Sequence, residues 1–327
     1  MKNEDKPKRP NSFNLNSLSK PFFVLAPMDD VTDTVFRQVV AGTAAPDLYF
    51  TEFVNVDALQ SKGREATLPR LKLSEKEHPI IAQVWGLNPE NFYKSAKDIR
   101  EMGFDGVDIN FGCPDKNVVR NGACSAFILP ENREKALEII KASREGAGPL
   151  PVSVKTRLGF NDIDFTWHEE LLKLKLNMLT IHGRTKRQMS DVPADWDKIG
   201  HIRELRDALS PSTLIIGNGD VLTRQQGLEL ADKYKVDGIM IGRGIFQDPY
   251  IFAEHSQWET FSKEEKIGLY RKHVELFAAT WPNGERKIHT LNKFCKVYIN
   301  GFDGAKELRE QLMAAKSTEQ LLNLLHA

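Results

Sequence analysis

Cysteine is scarce in this chain: 3 in 327 residues, at Cys113, Cys124 and Cys295. No two have the C-x-x-C spacing of a zinc or iron–sulfur site. An odd, low count in a long chain also argues against a disulfide framework and for a reducing compartment. Excess charge is lacking as well. Lysine plus arginine and aspartate plus glutamate each total 45, so any nucleic-acid contact has to use a local patch. No apolar run is long enough to span a bilayer. Residues 1–20 are rich in Lys, Pro, Asn and Ser and lack the apolar stretch of a secretory signal. A disordered tail over 1–20 and a cytoplasmic location are therefore expected, with no membrane partner. What is present is ordinary for one large α/β domain with a smaller second one: 41% hydrophobic and 28% charged residues.

Eight apolar or β-branched runs recur: 22–28, 48–53, 80–86, 106–112, 151–157, 178–184, 214–220 and 238–244. Nearly continuous hydrophobicity suits parallel strands covered on both faces. Helical signals fill most gaps. Asn88-Pro89 reads as an N-cap with proline at the first helical position, stopped at Gly103. Segments 130–144, 195–209 and 223–234 have helical composition, and 57–61 is a short candidate after the second run. Strand and helix alternating eight times predict an α/β fold, a (β/α)8 TIM barrel over 21–255. An open doubly wound sheet is disfavoured, because Gly-x-Gly-x-x-Gly is absent after Met28 and Gly217-Asn-Gly219 lacks a third glycine. From 256 to 327 the pattern is all-helical, opened by the capping box Ser262-Lys-Glu-Glu265.

A barrel carries its active site at the C-terminal strand ends, and here those ends are polar. Asp108-Ile-Asn-Phe-Gly-Cys-Pro114 closes a strand with glycine and proline, so Cys113 should project into a loop, where a thiol can exchange a proton or attack. Gly217-Asn-Gly-Asp220 and Gly242-Arg-Gly244 offer open backbone N–H groups beside Arg243, which suits phosphate; the alternative is a pair of tight turns. Lys155 sits in an otherwise apolar strand. It has to snorkel, meet an anionic ligand, or pair internally with Asp108 or Glu52. His182 is either a satisfied core histidine or a donor at the same mouth. Gln83 and Asn110 carry both donors and acceptors, as the edge of a planar heterocycle requires.

In this order the motifs resemble the tRNA-dihydrouridine synthases over nearly the whole chain after the tail. They are Ala26-Pro-Met-Asp-Asp-Val-Thr-Asp33, Ala82-Gln-Val84, Asn110-Phe-Gly-Cys-Pro114, Val154-Lys-Thr-Arg157, His182-Gly-Arg-Thr185, Gly217-Asn-Gly-Asp220 and Ile241-Gly-Arg-Gly244. The C-terminal stretch with Tyr298 and Gly301-Phe-Asp-Gly304 is similar to the family's RNA-binding domain. The resemblance implies an FMN enzyme reduced by NADPH or NADH that acts on uridine in tRNA, with no metal and as a monomer. By position, Pro27, Met28 and Asp29 would line the flavin. Gln83, Lys155 and His182 would support its ring, and Asn218, Gly219, Asp220, Gly242 and Arg243 would hold its phosphate. Cys113 would protonate uracil C5 as hydride reaches C6, and Asn110 and Arg184 would hold the uracil.

Three positions depart from the family pattern: Asp30 and Cys124 replace frequent glycines, and 188–192 lacks a common tyrosine and glycine. Other readings are an FMN barrel acting on a free pyrimidine such as dihydroorotate, and a non-enzymatic RNA-binding barrel. In the C-terminal segment, Lys266, Arg271, Lys272, Arg286, Lys287, Lys293, Lys296 and Arg309 alternate with Tyr270, Phe294 and Tyr298. That mixture grips phosphate and stacks on bases, or is a solvated bundle surface offset by Glu264, Glu265, Glu275 and Glu285.

Overall fold

The computed structural model describes residues 13–326. Residues 1–12 of the expected tail lie outside the described residues. The remainder of that stretch is ordered, contrary to expectation: Asn14 caps a 3-10 turn, Leu15–Ser17. Leu15 is buried with Phe22, Met178 and Leu214 at the strand-start end of the sheet.

Nine strands form one sheet: β1 (Phe22–Leu25), β2 (Tyr49–Phe50), β3 (Val54–Asn55), β4 (Ile80–Trp85), β5 (Gly106–Phe111), β6 (Val152–Arg157), β7 (Met178–His182), β8 (Leu214–Asn218) and β9 (Gly238–Ile241). All pairings are parallel. The order β1-β9-β8-β7-β6-β5-β4-β2 is closed by a bridge between Val24 and Leu48, where the Leu25 N–H donates to the Leu48 carbonyl at 3.1 Å. This is the expected (β/α)8 barrel.

The second expected strand is split in two. The Thr51 hydroxyl donates to the Glu52 carbonyl (2.6 Å) and accepts the Gln83 N–H (3.1 Å), so a side chain replaces the ladder between β2 and β3. Most strands, β6 apart, also stop short of their expected C-terminal ends. β1 ends at Leu25 because Pro27 has no N–H to give, and the Met28 carbonyl already accepts turn bonds from Val31 and Thr32.

Side chains alternate between helices and barrel interior. In β6, Thr156 faces outward and accepts from the Trp167 indole at 3.0 Å, while Ser153, Lys155 and Arg157 belong to the inward set. The interior is apolar at the floor, with Phe22, Val24, Ile81, Met178, Leu214, Ile216 and Met240. Toward the strand ends it turns polar.

The helices begin where short polar side chains cap them. Asn88, Asp195 and Thr223 open 89–102, 196–209 and 224–234, and Gly103 ends the first of these at φ 91. Segment 130–144 is a 3-10 turn followed by a helix, Arg133–Ala147, ended by Gly148. Two helices that sequence did not single out, Thr34–Thr43 and Phe165–Lys173, are capped by Asp33 and Asp164. No helix among the described residues is long and apolar enough to cross a membrane.

The C-terminal helices are Lys263–Thr280, His289–Tyr298, Ala305–Ala314 and Thr318–His326, the first opened by the Ser262–Glu265 capping box. They pack on the barrel through Phe294, which stacks on Phe36 at 4.8 Å. A ring buried in this way contributes roughly 1.5–3 kcal/mol. Tyr270, Phe294 and Tyr298 are therefore core residues, not a stacking platform for bases, and Tyr270 and Tyr298 stack on each other at 5.4 Å. Lys266 is buried over Trp258, and Arg309 donates to the Ile299 carbonyl, so neither offers a free charge. Lys272, Lys287, Lys293 and Lys296 keep exposed side chains.

Candidate active site at the barrel mouth

The ends of β6 to β9 and of β1 enclose a cleft of about 480 Å³. Pro27, Met28, Lys155, His182, Arg184, Asn218, Gly219, Asp220, Gly242 and Arg243 all line it, as does Arg157. Asp29, Gln83, Asn110 and Cys113 do not line this cleft.

The cleft is cationic. Lys155 is half-buried, and its ammonium donates to Asn218 Oδ1 at 3.0 Å. Neither carboxylate considered from sequence pairs with it: Asp108 takes Gln83 and Ser153, and Glu52 takes arginines. The Asn218 amide is fixed because its N–H donates to the Met240 carbonyl at 2.9 Å. Burial lowers the Lys155 ammonium to about 8, and the Arg157 charge works in the same direction. His182 is neutral for the same reasons: burial, then the charges of Lys155, Arg157 and Arg184, push it far below its ordinary range. Arg184 donates to His182 Nε2 at 3.1 Å, which leaves the ring proton on Nδ1.

Arg184 is buried and uses each of its three nitrogens, donating also to Asp220 and to the Val192 carbonyl, both at 2.5 Å. Burial works against the Asp220 carboxylate, yet the Arg184 bond and the Ala194 N–H hold it below the usual range. Asp220 thus braces Arg184 rather than offering donors to an anion. Arg243 projects into solvent, 64% exposed, with only a loose 3.6 Å pairing to Asp220. Between these cations Gly219 sits at φ 133, and a Cβ there would lie 2.6 Å from that of Ala194. Only glycine fits this turn without displacing the β7 loop.

Beside the cleft, the loop after β5 is held by a chain of side-chain hydrogen bonds. Ser153 donates to Asp108 at 2.6 Å, and Gln83 donates to the same carboxylate at 2.7 Å. The Gln83 carbonyl accepts from Asn110 at 3.0 Å. The Asn110 carbonyl in turn accepts the Gly112 and Cys113 N–H groups at 3.0 and 2.9 Å. A carboxylate can only accept, so it fixes the orientation of both amides. Burial raises the Asp108 carboxyl to about 6. Asn110 thus ties Gln83 to the cysteine loop and keeps one amide N–H unused.

Arg157 braces the same loop by donating to the Gly112 carbonyl at 2.7 Å. Sequence reasoning noted it as a polar strand end without giving it a role; its two-residue offset from Lys155 was the available signal. Cys113 is half-buried at the loop's tip. A hydrogen bond from Cys124 is the largest influence on it and, with the Asp115 N–H and Arg157, outweighs burial to bring the thiol down to about 7. Cys124 is buried at φ 52, and its own thiol is pushed well up, first by burial. Asp29 points away from the cleft and pairs with Arg70.

Among solved structures, morphinone reductase superposes with a TM-score of 0.54 at 15% identity, over 73% of this chain and 86% of that one. Histamine dehydrogenase from Rhizobium sp. 4-9 gives 0.55 at 13%, over 78% and 48%. At those identities the likeness is one of fold. Sequence relatives are nearer. A probable tRNA-dihydrouridine synthase of Staphylococcus epidermidis is 45% identical over 313 residues, 95% of this chain and 94% of that one. The probable tRNA-dihydrouridine synthase 2 of Bacillus subtilis is 46% identical over 311 residues, 94% of each chain. The family model described as dihydrouridine synthase (Dus) matches residues 24–327. With the match running from β1 through the last helix, the chain belongs to the dihydrouridine synthase family.

Proposed function

We propose that this protein is a tRNA-dihydrouridine synthase: an FMN-dependent oxidoreductase that saturates the C5–C6 bond of uridine in tRNA, with NAD(P)H as reductant. The observation that carries the reading is the family match along almost the entire chain, with the Cys113 loop inside it. The residues present fit FMN. A half-buried ammonium without a carboxylate partner, a glycine turn with no room for a side chain, and an open arginine share one cleft. That donor set suits an anionic heterocycle carrying a phosphate.

Lys155 would stabilise negative charge on the ring, with Asn218 orienting its ammonium. Pro27 and Met28 would wall the ring, and His182 would offer Nδ1–H. Arg243, with the backbone of Gly219 and Gly242, would take the phosphate. When bound, FMN supplies the hydride that reaches uracil C6. Cys113 delivers the proton to C5; a thiol near 7 is still substantially protonated at neutral pH. Asn110, which holds the cysteine loop, and Arg184, which holds Asp220, would turn their remaining N–H donors to the uracil. The target uridine leaves its stack to enter the pocket.

The test is direct. Purified protein should be yellow and release FMN on denaturation, and with NADPH it should form dihydrouridine in tRNA. Cys113→Ala should keep the flavin and lose about 10²-fold or more of product formation. Full activity in that variant removes the proton donor. Free uracil or orotate turned over as fast as tRNA would reassign the substrate.

A further inference from the structure

Outside the cleft, the turn after β1 is gripped by the C-terminal helices. Asp30 stands at its tip at φ 53, a left-handed conformation that costs an aspartate roughly 1 kcal/mol more than glycine. Its N–H donates to Glu52 Oε1 at 2.8 Å, and its carboxylate pairs with Arg286 at 3.2 Å and Arg70 at 3.4 Å. Its carbonyl accepts from Lys293 at 2.5 Å. Glu52, fully buried between β2 and β3, accepts from Arg70 at 2.9 Å and from both terminal nitrogens of Arg286. Arg286 lies 5.9 Å from the Trp281 ring, and the Trp281 indole donates to Asp33 at 3.3 Å. The inner end of the same turn is Met28, a lining residue of the cleft, whose N–H donates to Thr32 Oγ at 2.9 Å.

We propose that Arg286 is a positioning residue for the cofactor: by clamping Asp30 and Glu52 it sets the turn that carries Met28, so that cofactor seating and RNA binding on the C-terminal helices are coupled. This rests on the FMN and tRNA reading above. Arg286 and Lys293 reach the turn at Asp30, its cleft-lining residue Met28 lies two positions away, and the Val31 and Thr32 N–H groups close the turn on the Met28 carbonyl. Coupling of this kind is reciprocal: whatever factor RNA applies to FMN affinity, FMN applies to RNA affinity.

The experiment titrates deflavinated full-length protein with FMN by fluorescence quenching. It also measures binding of unfractionated tRNA with and without saturating FMN. Arg286→Ala should raise the FMN dissociation constant about tenfold, within the usual range of site-to-site coupling, alter the visible circular dichroism of the bound flavin, and abolish the effect of FMN on tRNA affinity. Arg286→Lys should restore part of each. If Arg286→Ala does not fold, Asp30→Gly relaxes the backbone and removes the ion pairs of the turn while leaving Arg286 on Glu52, and smaller losses in the same direction are expected of it. A folded variant with wild-type FMN affinity, wild-type flavin dichroism and unchanged FMN–tRNA coupling overturns the clamp. Wild-type protein that binds no FMN sinks the functional reading and this proposal with it.

Discussion

Half-buried Lys155 and fully buried Glu52 are both charges at strand ends of one barrel mouth, and the fold treats them in opposite ways. Glu52 is saturated: two arginines and a backbone N–H converge on its carboxylate, one arginine arriving from the loop between the first two C-terminal helices. Burial still pushes its carboxyl above the ordinary range, with Arg286 and Arg70 pulling it back. Lys155 has only the neutral amide of Asn218, in a cleft already crowded with arginines. An ammonium left in that state is costly to the empty protein and favourable once an anion arrives. One charge serves the joint between two parts of the chain, and the other waits without a charged partner.

Removing the saturated charge gives the largest expected effect on stability. Glu52→Gln leaves Arg70 and Arg286 facing a neutral amide, and breaking a buried pair in this way costs about 3–5 kcal/mol. Urea unfolding followed by far-UV circular dichroism measures it, and a change near zero would mean that the two arginines find other partners.

Lys155→Met should do the reverse. The flavin-free variant becomes more stable than wild type at pH 7, while FMN retention falls. The sign follows from linkage. The folded-state value of Lys155, about 8, lies below the unfolded one, so between about 8 and 10.5 the unfolded chain binds more protons. Wild-type stability therefore rises with pH across that window, and the advantage of Lys155→Met narrows there. Thermal unfolding of both proteins at pH 7 and pH 10 checks this, and a constant difference would place a counter-charge beside Lys155.

Much of this contrast was legible in sequence, and one side more than the other. Lys155 announced itself as a lone charge in an apolar strand, and period two carried Ser153 and Arg157 inward with it. Glycine and proline after Phe111 marked the end of β5 and the loop of Cys113. Glu52 was visible as a polar strand end, but its partner Arg286 lies far along the chain, and no local pattern links them. Tyr270, Phe294 and Tyr298 among lysines have the same composition whether the rings stack on bases or fill a core; only packing against Trp258 and Phe36 decides it. The break between β2 and β3 escaped notice because a threonine, a good strand former, uses its hydroxyl in place of the ladder. The loop-holding bonds of Asn110 were hidden for a related reason: an asparagine two residues before a glycine turn can satisfy the turn's own N–H groups, and the residue type does not say so.

The smallest expected effect tests whether the cysteine loop belongs with the saturated region or with the waiting one. Cys124 sits in a left-handed conformation, buried, and its thiol donates to the Cys113 sulfur. That bond favours the Cys113 thiolate, so the acid needed at uracil C5 is depleted as pH rises above about 7. Cys124→Ala keeps the strained backbone and removes only the donor. The Cys113 value then rises, and the basic limb of the flavin-to-uracil step moves to higher pH. At pH 8 the variant should turn over a few-fold faster than wild type in a single-turnover assay, and at pH 6 the two should agree. If the limb stays where it is, the Asp115 N–H and Arg157 are sufficient to hold the thiol, and Cys124 only fills space beneath the loop.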